Sequence, residues 1–187
     1  MMRIHSRTIH LLILFFSIIS YGGISYAASS EYDLKAAFIE KFLHFIKWPA
    51  GSTAYEDETG FTICIAGINP FKGSLEQAAR LSRFNNNAIQ VKQVAEYDKI
   101  TDCHVLFISS TSDIKLKKIL ALTKGQPILT ISDSPGYAVD GVIINFYPRN
   151  KSLGFEINRQ AAVAAQITIS SRLLKLANIV EPSGDKL

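Results

Sequence analysis

The chain has 187 residues, 48% of them hydrophobic and 19% charged, with a formal net charge of +4. That apolar content excludes a disordered chain, and the length suits one domain. The charges alternate in sign without a concentrated basic stripe, which excludes nucleic acid as the partner.

Residues 1–27 read as a secretory signal peptide. Arg3 and Arg7 form its positive start, the run Ile9 to Ile19 is mostly apolar, and Ser25 and Ala27 suit cleavage after Ala27. The run is too short for the roughly 20 apolar residues of a membrane-spanning helix. Cleavage leaves 160 residues and lowers the net charge to +2. A single domain is expected over 28–180, followed by a flexible tail over 181–187.

Residues 31–47 place Leu34, Ala37, Phe38, Phe42, Phe45 and Ile46 at helical spacing. A helix is expected there, capped by Ser29 or Ser30 and stopped by Trp48-Pro49. Gly51 to Gly60 is a turn-rich loop, and Phe61 to Ala66 a short strand ending at Gly67. A second helix is expected to open at Asn69-Pro70 and run through Leu75, Ala78, Ala79 and Leu81. Asn85-Asn86-Asn87 marks a turn before a strand at Ile89 to Val94. His104 to Ile108 is a buried strand, and Ser109 to Ser112 caps a helix ending at Lys124-Gly125.

Ile128 to Ile131 is another strand, closed by Asp133-Ser134-Pro135-Gly136. Val142 to Phe146 and Leu153 to Ile157 form a hairpin around Pro148-Arg149-Asn150. Asn158 to Gln166 is helical, Ile167 to Ile169 is β-branched, and Ser170 caps a last helix through Leu176. Strands alternating with helices predict an α/β fold. Its open, largely parallel sheet is flanked by helices and carries a C-terminal β-hairpin and terminal helices.

Residues that could carry chemistry are sparse. His44 and His104 are the histidines left after cleavage, and neither has a second histidine at i+3 or i+4. No G-x-S-x-G elbow presents a nucleophile. Gly67 to Gly73 lacks both phosphate-loop spacings, and Pro70 removes a donor, so an ordinary β–α turn is the better reading. Ser132-Asp133-Ser134 ends a predicted strand, where open α/β sheets bind ligands. Turn chemistry explains the same residues. The exposed side of the first helix, with Glu40, Lys41 and Lys47, offers a partner surface, although a solvated face accounts for it as well. No catalytic residue, metal ligand or cofactor is expected.

Cys64 and Cys103 both survive cleavage. Such a pair in an exported domain usually forms a disulfide, here closing a 40-residue loop; two buried free thiols are the competing reading. Cys64 lies inside the first predicted strand and Cys103 just before another, so neighbouring parallel strands would bring them within bonding reach.

An ordered set of segments resembles the YfiR family of periplasmic regulators. It runs from Leu34-Lys35-Ala36-Ala37-Phe38 through Phe42 and Phe45 to Trp48-Pro49, then the Cys64 strand with Gly67 and Asn69-Pro70-Phe71. Cys103 to Ile108 and Pro127 to Asp133 follow, then Phe155 to Asn158 and Ile169 to Ala177. The resemblance implies a periplasmic protein that binds the periplasmic part of an inner-membrane diguanylate cyclase and holds it inactive. Release through an outer-membrane lipoprotein or a redox change would then raise cyclic di-GMP. Family members can form homodimers, and Cys64–Cys103 matches a family disulfide. Some members carry a second, later cysteine pair. This chain lacks it, so a switch built on that bond does not carry over. The alternative function is periplasmic small-ligand binding near Ser132 and Asp133.

Overall fold

The computed structural model describes residues 25–55, 60–95, 97–111, 113–150 and 152–181. Most of the expected leader and residues 182–187 of the expected tail lie outside them. The first helix, α1 (Ser25–Phe42), gives way to a 3-10 turn and a two-residue strand, β1 (Ile46–Lys47). Next come β2 (Phe61–Ala66), α2 (Ser74–Leu81), β3 (Arg83–Phe84), β4 (Asn87–Val94), β5 (Val105–Ile108) and α3 (Asp113–Thr123). The second half runs β6 (Leu129–Ser132), α4 (Tyr137–Asp140), β7 (Ile144–Arg149), β8 (Ser152–Asn158), α5 (Arg159–Ala164), β9 (Thr168–Ile169), α6 (Ser171–Leu174) and β10 (Asn178–Val180).

Eight strands form one sheet in the order β10-β8-β7-β6-β5-β2-β4-β3. Its pairs are parallel except the β3–β4 and β7–β8 hairpins. The central strands β2, β5 and β6 are buried along their whole length, which explains why they read as continuous apolar runs. This is the expected α/β architecture, with helices on both faces. On one face α1 lays Ile39 and Phe42 into the core. The Phe42 ring stacks on Phe146 at 5.7 Å and meets Phe155 edge-on at 5.0 Å. On the other, Leu116 and Ile119 of α3 pack with Leu106, Ile108 and the Cys64–Cys103 bridge.

Three elements depart from the sequence reading. The first helix ends at Phe42, five residues before Lys47, because Ile46 pairs with Ile169 of β9 and the Phe45 carbonyl accepts from Ser170 N–H. Its buried stripe is also rotated. Lys35, Ala36, Ile39 and Phe42 face inward, whereas Leu34 is 44% exposed and Ala37 is exposed. The second helix starts at Ser74, not Asn69, because Lys72 (φ 51°) and Gly73 (φ 97°) adopt left-handed backbone that a helix cannot continue through. The last helix stops at Leu174, and the chain then adds β10 beside β8, aligning Asn178 with Glu156.

Candidate functional site

The strand order reverses at β2. Its chain continues through α2 to β4 on one side, and β5 then pairs on the other side and continues into α3 on the opposite face. The crevice between β2 and β5 at their carboxyl ends is the position where open α/β sheets bind ligands. Here it is closed by the protein itself. Ser109 Oγ donates to the Ile68 carbonyl at 2.5 Å, and a Cβ at Gly67 would stand 3.2 Å from Ser109 Cβ. Gly67 is also held at φ +96°. Gly67→Ala should therefore destabilise the fold by about 1–3 kcal/mol, read as a lower denaturant midpoint; an unchanged midpoint would contradict the tight closure.

Ser132-Asp133-Ser134 sits at the same edge, at the end of β6. Ser132 Oγ donates to the Ile108 carbonyl at 2.6 Å and accepts from Ser134 N–H at 3.3 Å, so both serines serve the turn. Asp133 is taken up by α1. Its carboxylate accepts from Lys35 Nζ at 2.7 Å and from the Tyr32 hydroxyl at 2.9 Å. Lys35 also meets Glu31 at 2.8 Å and lies 4.3 Å from the centre of the Tyr32 ring. The cleft expected beside Ser132 and Asp133 is thus filled by side chains of the first helix.

The charge states follow from these contacts. Burial works against the Lys35 charge, but its hydrogen bonds to Asp133 and Glu31 outweigh burial and raise its pKa. Burial, reinforced by the hydrogen bond to Asp133, raises the Tyr32 pKa as well. A lysine nucleophile needs the opposite shift. Lys35 stays a cation, Tyr32 stays a donor, and the cluster is a fastening rather than a reaction centre.

The remaining candidates are also engaged in structural roles. His104 is buried; its Nδ1 accepts from Thr62 N–H at 2.9 Å, which leaves the proton on Nε2, facing Thr53 Oγ1 at 3.1 Å. Neither ring nitrogen is then a free base. His44 is exposed and lies 3.1 Å from Glu40. Glu40 is only half-buried, yet it accepts from Ser82 Oγ at 2.8 Å at the end of α2 and pairs with Lys41. Burial opposes its charge, but the bonds from Ser82, His44 and Lys41 prevail and lower its pKa. Of the three residues considered for a partner surface, Lys41 and Lys47 are exposed, while Glu40 joins two helices. Among the described residues no group of three or more His, Cys, Asp or Glu is placed to hold a metal ion.

Cys64 and Cys103 are bridged, with Cα atoms 5.8 Å apart. Cys64 is in β2 and Cys103 lies two residues before β5, the strand that pairs with β2. Both are buried, at 1% and 3% exposure, which shields the bond from attacking thiolates.

The family model described as DUF4154, YfiR/HmsC-like, matches residues 32–178, from Tyr32 of the α1 cluster into β10. The chain belongs to the YfiR/HmsC-like family. The match takes in the bridge, the closed β2–β5 crevice and the Lys35–Asp133 fastening, so this YfiR/HmsC-like domain is nearly the whole described fold. No curated protein matches the chain. Among solved structures, an ABC domain from Streptococcus pneumonia in complex with L-Trp is similar at a TM-score of 0.44 and 12% identity. That alignment covers 68% of this chain and 57% of the other, so the chain spans a little over half of that structure's length. Tyr32 and Lys35 are the site residues that sequence reasoning missed. The one available signal was a lysine set among the apolar residues of the first helix.

Proposed function

We propose that this protein is a periplasmic regulator that represses a membrane-bound diguanylate cyclase by protein–protein contact and so lowers cyclic di-GMP. Membership of the YfiR/HmsC-like family across residues 32–178 carries the reading. The chemistry of the carboxyl edge supports it: Tyr32, Lys35 and Asp133 are bonded to one another and Ser109 and Ser132 to backbone carbonyls, as suits a scaffold that binds through its surface. A perturbed acid–base pair poised for a reaction would look different.

Export is the second part of the proposal. Residues 1–27 carry the leader pattern, and the Cys64–Cys103 bridge suits an oxidising compartment. Among the described residues no helix is long and apolar enough to cross a membrane. The partner in this reading is the periplasmic part of an inner-membrane cyclase. An outer-membrane lipoprotein would relieve the repression, and the protein would act as a homodimer. Deleting the gene in cells that express the candidate cyclase should raise cyclic di-GMP, and restoring the chain should lower it. An unchanged level after deletion would overturn the proposal.

A further inference from the structure

The carboxyl edge contains a cavity that shares no residue with the Lys35–Asp133 fastening. It opens on the α3 face beside the sealed β2–β5 crevice and has a volume of about 260 Å³. Its floor is apolar, made by Ala66 at the end of β2, Val94 at the end of β4, and Ile100 and Ile119. Lys115 of α3 stands exposed at the mouth and is the one charged side chain among the described lining residues.

The rim is fixed in place. Gln93 Nε2 donates to the Gly67 carbonyl at 2.8 Å, and the Tyr137 hydroxyl accepts from Thr111 N–H at 3.0 Å and donates to the Thr111 carbonyl at 2.9 Å. Two lining residues adjoin exposed aliphatics in the sequence. Ile68, 85% exposed, follows Gly67, and Ile114, 82% exposed, precedes Lys115.

These features select a ligand class. The apolar side chains of the floor offer no hydrogen bonds to whatever rests on them, so the occupant carries an aliphatic portion there. The volume is below the roughly 300–1,000 Å³ of pockets for drug-sized ligands, so the occupant is small. Lys115, the one cation among the described lining residues, complements one negative head group. We infer that this cavity binds a small aliphatic carboxylate, with its chain on the Ala66–Ile119 floor and its head group at Lys115.

Octanoate is the probe, titrated into the exported chain and followed by amide NMR and calorimetry, with 1-octanol as its uncharged counterpart. Saturable shifts are expected at Gly67, Thr111, Lys115 and Ile119, with 1-octanol binding at least about 10-fold more weakly. Lys115→Met should weaken octanoate by about 10-fold or more and leave 1-octanol unchanged. Ala95→Phe, at an exposed lining position, should block both while the melting temperature stays that of the wild type. Absence of saturable binding at millimolar octanoate, shifts confined to another face, or equal affinity for octanoate and 1-octanol would each overturn the inference.

Discussion

Replacing Cys64 or Cys103 by Ser should lower stability by about 4 kcal/mol, because the bridge closes a loop whose ends are 39 positions apart. For a domain of this size that is a fall in melting temperature of about 8–16 °C. The loss arises mainly in the unfolded chain, which regains the freedom that the closed loop denied it. Three variants should therefore coincide: Cys64→Ser, Cys103→Ser and the double replacement all open the same loop. Reduced wild-type protein should behave like them. Burial of both sulfurs also predicts that mild reductant leaves the folded protein oxidised until it unfolds. Thermal melts of the four forms, with thiol labelling before and after denaturation, check this. Two reactive thiols in the denatured, unreduced wild type would sink the prediction, as would a double variant much less stable than either single one.

The bridge also shows why the sheet was readable in the sequence. β2, β5 and β6 are four to six residues long, buried on both sides, mostly apolar and bounded by turn residues, as a doubly covered parallel sheet requires. Once those strands are placed side by side, Cys64 on β2 and Cys103 just ahead of the adjacent β5 come within bonding reach. The hairpin was legible for the same reason, since Phe146 and Phe155 pair across it.

What was not legible depended on distant partners. β10 is three residues of half-exposed chain that become a strand only because β8 offers an edge. Ile46 fits the helical period and is taken from it by Ile169, more than a hundred residues later. The rotated stripe of α1 has the same origin. Helical spacing alone favours burying Leu34, whereas Asp133 at the end of β6 draws Lys35 inward and turns Leu34 out. Propensity and periodicity are local, and each of these outcomes was decided by a contact far away in sequence.

The Lys35–Asp133 pair should be worth more to the fold than any surface charge. The side chains are 5% and 12% exposed, so removing Asp133 leaves the buried Lys35 with only the exposed Glu31 as a charge partner. Asp133→Asn should destabilise the fold by less than the roughly 3–5 kcal/mol of a wholly unpaired buried charge, because Glu31 stays on Lys35. Lys35→Met, which keeps the side-chain volume, should cost less, since Asp133 retains the Tyr32 hydroxyl and more solvent. The double variant Lys35→Met/Asp133→Asn should recover much of the loss, because no unpaired charge remains buried. The pH dependence has a definite sign. Both Lys35 and Tyr32 have raised pKa values in the fold, so their contribution is complete below the ordinary values of 10.5 and 10.0. It is lost as pH climbs through the raised values, and the stability gap between wild type and the double variant should shrink there. Hydrogen exchange gives the local readout. Asp133→Asn should strip protection from residues 32–36, where α1 is fastened to β6, and spare 39–43, where Phe42 is wedged against Phe146 and Phe155. Uniform loss along α1 would mean that the aromatic wedge, and not the ion pair, sets the position of the whole helix.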